Sequence, residues 1–220
     1  MAINSLSTGF RPGVCTSSTR PTAPYEGQVI YETDTDLSYV WGGAAWQQVS
    51  GGTAVGNSGL VYITSATIGS GVSTVPVANA FSTTYDNYLI QVINTVVSAN
   101  QPNLAIQMTG TTSGYHYAGF YQSFASATMT GDVTTTGTYF PLGACGNGTA
   151  GGGRATMDVV VKSPQVAQAT FFSSQNASLN WNTSYTGHMN NSTQYTGFTI
   201  LPSSGNLTGG TIAVYGYRKA

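Results

Sequence analysis

Breaking a glycosidic bond takes two carboxyl groups converging on it, and beyond residue 40 this chain offers only Asp86, Asp132 and Asp158. Asp158 belongs to the alternating run Thr156 to Lys162, which turns Met157, Val159 and Val161 inward and Asp158 outward beside Thr156 and Lys162. Asp86 sits in Tyr85-Asp86-Asn87, a turn composition in which the carboxylate bonds its own backbone. His116 lies between Tyr115 and Tyr117, and His188 in a Gly/Asn-rich loop. With no cysteine or carboxylate near either in sequence, neither reads as a metal ligand or a general base. No catalytic, cofactor-binding or metal-binding residue is expected.

Three weaker signals reduce to ordinary structure. Cys15 and Cys145 are too far apart for metal-ligand spacing and read as free thiols. Gly151-Gly152-Gly153-Arg154 lacks the Lys-Ser/Thr pair and following helix of a phosphate cradle, and reads as a flexible loop. Glu32, Asp34 and Asp36 cluster as a cation site would, but without the glycine and terminal glutamate of a calcium loop they read as a solvated turn. One binding chemistry stays open. Sugar rings stack on aromatic faces while amides bond their hydroxyls, and Tyr115, Tyr117, Tyr121, Trp181 and Tyr185 with Asn180 and Asn182 form such a set of candidate glycan contacts.

The elements that must position these residues are strands, because helical periodicity is nowhere sustained. Strands are expected near Leu60 to Ile68, Tyr88 to Val97, Leu104 to Met108, Tyr115 to Phe124, Thr156 to Lys162, Ala169 to Phe172, Leu179 to Tyr185, Tyr195 to Leu201 and Thr211 to Tyr217. So many short strands over residues 59–220 favour an all-β, jelly-roll-like β-sandwich. Tyr-Thr-Gly at 185 to 187 recurs at 195 to 197, which fits the two strands of a hairpin.

Ahead of that body, residues 1–26 hold Pro12, Pro21 and Pro24 and few large apolar groups, and read as an extended N-terminal arm. Such arms are mobile unless held, so a partner or sister subunit is expected to clamp it. Residues 27–58 read as a three-stranded β-meander stalk followed by the linker Ser50 to Gly59. Alternation is expected to put Val29, Tyr31, Leu37, Tyr39 and Trp41 on one face. So few strands are marginal alone, and a threefold assembly burying Val29, Tyr31, Tyr39, Trp41 and Trp46 between copies is the simplest remedy.

Only 6% of the residues are charged and the net charge is −1, so no electrostatic footprint exists for nucleic acid or an anionic membrane. Met1 to Phe10 has neither a basic start nor an apolar core, and neither an export signal nor membrane insertion is expected.

Arg20 to Val49 carries Pro24, Gly27, Ile30-Tyr31-Glu32-Thr33-Asp34-Thr35, Val40-Trp41 and Trp46; Tyr195 to Tyr217 carries Tyr195-Thr196-Gly197-Phe198, Pro202-Ser203-Ser204-Gly205 and Val214-Tyr215-Gly216-Tyr217. These two stretches, about a quarter of the chain, resemble segments of bacteriophage virion structural proteins of the small tail-fibre, spike or head-decoration type. The pattern departs at Gly42-Gly43, where Asn-Gly is usual. The resemblance implies a non-enzymatic component exposed on the virion and assembled in the host cytoplasm. Residues 1–26 would dock on capsid, portal or tail proteins, and the C-terminal β-sandwich would meet a host surface glycan. A capsid decoration or cement protein, and a glycan-degrading or glycan-binding tailspike module, are the alternative roles.

Overall fold

β-Branched and aromatic runs broken by Gly, Asn and Asp turns fold as strands throughout, and the described residues contain no helix. In the computed structural model these are residues 12–50, 59–145 and 154–219. The chain divides into two units, 1–57 and 58–220. Residues 1–11 of the expected arm, 51–58 of the expected linker and 151–153 of the expected glycine loop lie outside the described residues.

The first unit is a four-stranded sheet in the order β1 (Gly13–Cys15), β2 (Val29–Glu32), β3 (Leu37–Trp41), β4 (Trp46–Ser50). The meander gains a strand from the expected arm, because Gly13–Cys15 pairs in parallel with Ile30–Glu32. Gly13–Cys15 are therefore tied to their own sheet, and Ser17 and Arg20 bond Asp34 and Glu32 of the same unit. The expected common face also needs correction. Register sets Val29 opposite Val40 and Tyr31 opposite Ser38, while Ile30 faces Tyr39 and Glu32 faces Leu37. Opposed residues share a side, so Val29 and Tyr31 lie on one face. Leu37, Tyr39 and Trp41 lie on the other with Trp46, which opposes Trp41 in an edge-to-face pair at 5.5 Å.

Glu32 is fully buried under this second face. Its carboxylate accepts from Arg20 Nε and from Thr35 Oγ1 (2.9 Å), and the Arg20 guanidinium lies 4.5 Å over the Tyr39 ring. Arg20, then Thr35, hold the Glu32 pKa below the usual carboxylate value against the opposing effect of burial. Asp34 is held down likewise by the Ser17 hydroxyl and N–H at 2.6 and 2.9 Å, and Asp36 accepts from Tyr31 Oη at 2.8 Å. The acidic turn is thus occupied by protein donors.

The second unit packs two sheets face to face. The larger runs β10 (Met129–Gly137), β9 (Tyr115–Ser123), β14 (Trp181–Met189), β13 (Phe171–Ala177), β12 (Ala155–Lys162), β7 (Asn87–Val97), β17 (Thr211–Tyr217), β5 (Leu60–Thr67), all antiparallel, with β16 (Leu207–Thr208) on the far end of β7. The smaller runs β11 (Phe140–Ala144), β8 (Asn103–Met108), β15 (Phe198–Pro202), β6 (Val75–Val77). This is the sandwich the alternation expects, although its strand order does not establish the paired Greek keys of a jelly roll. Proline decides which strands of the small sheet are edges. Pro141 in β11 and Pro76 in β6 have no N–H to give a second neighbour, and both strands are outermost.

Tyr88, Ile90 and Val92 of β7 meet Met157, Val159 and Val161 of β12 on the covered face, opposite Leu104, Ile106, Phe198 and Ile200. Buried tyrosines keep their hydroxyls bonded: Tyr88 Oη donates to Ser82 O at 2.7 Å, and Tyr115 Oη accepts from Met108 N–H at 2.6 Å. The layers are also stitched by one neutral amide. Asn176 accepts from Asp158 N–H at 2.7 Å and donates to Leu142 O at 2.7 Å across the layers. It thereby replaces a rung where β12 and β13 part. A bulge at Gly143, with φ of +140°, lets the β11 backbone lie against Thr183 where a Cβ would clash.

The Tyr-Thr-Gly repeat is not a hairpin. Residues 185–187 lie within β14 of the large sheet, whereas 195–197 lead into β15 of the small one. The chain crosses between layers over 190–197, too long a path for a tight turn.

Candidate functional site

The large sheet outreaches its cover at one end, where β9, β10 and β14 extend past the termini of β8, β11 and β15. A groove of about 520 Å³ opens there, lined by Asn100, Gln101 and Asn103, Tyr121 and Trp181, Asp132, and Ser203 with Ser204. Six separate stretches of sequence supply it, the sixth being Ala144 at the end of β11. Tyr121 and Trp181 come together because Thr183 opposes Tyr121 and Trp181 opposes Ser123 in the β9–β14 ladder, placing all four on one side. Their rings meet edge to face at 5.7 Å and 67°. Asn103 and Ser203 are locked by reciprocal bonds, Asn103 N–H to Ser203 Oγ at 3.0 Å and Ser203 N–H to Asn103 O at 2.7 Å.

Asp132 opposes Gly119 on β9, and the missing side chain at Gly119 makes room for the Tyr185 ring. Tyr185 Oη then donates to Asp132 Oδ2 at 3.3 Å, orienting the carboxylate at the groove wall. The Trp181 indole N–H is buried without a hydrogen-bond partner among the described residues.

Of the candidate glycan contacts, Tyr121 and Trp181 line this groove and three do not. Tyr115 and Tyr185 are buried in the core, and burial pushes both phenols well above their usual pKa. Tyr117 is half-buried, packed edge to face on Phe140 and Tyr185, with its phenol pushed up to about 12, chiefly by burial. Alternation sends every second residue of β9 to the same face, but only the part of that face beyond the small sheet is open. Asn100, Gln101, Asn103, Asp132 and Ser203 were missed. The signal for all but Asp132, which lies within β10, was the amide-rich turn Ser98 to Asn103 and the Pro202 to Gly205 turn, both polar runs between strands.

The other carboxylates of this unit are elsewhere. Asp86 pairs with Lys219 at 2.9 Å, and Asp158 accepts from Gln91 Nε2 at 3.1 Å on the uncovered face. The Cys145 thiol is buried and pushed up to about 12, which keeps it unreactive. Among the described residues no group of three or more His, Cys, Asp or Glu side chains gathers to hold a metal ion. The chain matches no protein-family model, no curated protein and no solved structure.

Proposed function

We propose that this protein is a non-enzymatic structural component of a phage virion, a trimeric surface appendage whose sandwich binds a neutral host glycan in the groove. The observation that carries the binding reading is the Tyr121–Trp181 corner set beside Asn100, Gln101, Asn103 and a single carboxylate. Aromatic faces take the apolar side of a sugar ring, and amides and Asp132 take its hydroxyls. Among the described residues no Lys or Arg lines the groove, so an acidic sugar would meet Asp132 without a counter-ion. Cleavage needs a second carboxyl within about 10 Å, and Asp132 is the only one on the lining among the described residues. That supports holding a glycan over cutting it.

The virion part of the reading rests on the two resembling stretches and on the sparsely charged composition. Calorimetric titration of neutral oligosaccharides into the full chain is expected to show binding that Trp181→Ala weakens at least about tenfold, the stacking loss of one aromatic. Unchanged affinity would overturn the glycan reading. Light scattering that returns a monomer near 22.8 kDa would overturn the trimer. The anchor is tested by two deletions. Removing 1–11 spares β1 and Arg20, whereas removing 1–26 takes both away and dismantles the N-terminal sheet as well. Loss of particle incorporation with the shorter deletion supports a docking arm, and normal incorporation refutes it. Particle images showing the protein on the head shell would replace the appendage with a decoration role.

A further inference from the structure

The uncovered face of the large sheet brings together the only two histidines of the chain, 72 positions apart in sequence. His116 of β9 and His188 of β14 are directly opposed in an antiparallel ladder, a relation that sets Cβ atoms about 5 Å apart on one side of the sheet. Their rings lie 5.1 Å apart between centroids at 43°. The row continues through Phe171, 5.9 Å from His188, to Lys162. Both imidazoles are half-buried and neither takes part in a hydrogen bond among the described residues. The ring nitrogens are therefore not committed to other partners.

We propose that His116 and His188 form a bidentate site for a borderline divalent transition-metal ion, zinc by geometry. A zinc ion about 2.1 Å from an imidazole nitrogen lies about 3.2 Å from the ring centre, and two such spokes at a tetrahedral angle set the centres about 5.2 Å apart. The 5.1 Å found matches this separation. Two neutral imidazoles suit zinc, nickel and copper and are poor ligands for calcium or magnesium. The two remaining positions fall on the open side of the sheet, above Thr186, Val133 and Thr135, where water completes the coordination. The site is separate from the glycan groove, which opens on the opposite, core-facing side.

The test is calorimetric titration of zinc chloride into the full chain carrying Cys15→Ser, which removes the partly exposed thiol. One zinc per chain is expected. Loss of even an outer-shell partner weakens metal sites about ten- to a hundredfold, so His116→Asn and His188→Asn should each weaken binding by at least about a hundredfold while leaving the metal-free unfolding midpoint unchanged. Zinc binding of undiminished affinity in either variant overturns the site. Should a variant fail to fold, zinc chloride added to the unsubstituted chain with isotope-labelled histidine gives a second readout by NMR. A bound-state shift of one ring nitrogen in each imidazole at the same zinc concentration supports chelation, and a shift confined to one imidazole, or to neither, refutes it.

Discussion

The two units solve the same problem, covering a β-sheet, with opposite chemistry. The N-terminal sheet has little apolar area, and Ile30 is its one buried hydrophobic side chain among the described residues. It is organised around a buried carboxylate held by Arg20, Thr35 and a cation–π contact. The sandwich buries more than two dozen apolar side chains, and the polar groups it hides are neutral, as in the Asn176 stitch. An ion pair in a small unit is a single point of failure, because losing one partner strands the other charge out of water. A distributed apolar core loses only what is removed.

The largest expected effect tests that contrast directly. Arg20→Ala should abolish the N-terminal sheet as a cooperative unit, seen as loss of the near-ultraviolet signal of the Trp41–Trp46 pair, while the sandwich unfolds at its usual denaturant midpoint. Retention of that signal would show that Arg20 is not the keystone.

Phe140→Ala should cost the sandwich about 3–5 kcal/mol, because this fully buried ring stacks on Phe172 at 4.9 Å, and should leave the N-terminal sheet unaffected. Chemical denaturation followed separately in each unit measures both. Asn176→Ala should cost somewhat less, about 2–3 kcal/mol, by leaving the Leu142 carbonyl and the Asp158 amide unpaired in the core. A loss below about 1 kcal/mol, the net worth of an ordinary hydrogen bond, would mean that the layers are not stitched there.

Acid sharpens the comparison most gently. Glu32 and Asp34 have folded pKa values below their ordinary 4.5 and 3.8. Their contribution is complete above those ordinary values and is lost as pH falls through the lower folded ones. Acidification below about pH 4 should therefore melt the N-terminal sheet first, while the sandwich, whose Asp86–Lys219 pair is exposed and contributes little, persists. Simultaneous loss of both units on an acid titration would contradict this.

Local patterns made the fold class legible. Alternation over Thr156 to Lys162 defined both faces of β12, and every expected strand of the body corresponds to an observed one. The strands without an expectation, β6, β10, β11 and β16, are short, threonine- and glycine-rich or proline-bearing. Their stability comes from neighbours, not from their own propensity.

By itself the sequence determined that this chain is all-β, nearly uncharged and rich in aromatic side chains, because period-two alternation and composition are properties of consecutive residues. The tertiary structure alone decided which aromatics are open. Tyr115, Tyr121 and Tyr185 share a face of the large sheet, and only the reach of β8, β11 and β15 leaves Tyr121 uncovered beside Trp181, Asp132 and the amides of the 100–103 turn. The same holds for His116 beside His188 and for Arg20 over Glu32. Pairing register joins residues distant in the chain, and register is fixed by how the sheets bury their faces, a condition that no local stretch contains.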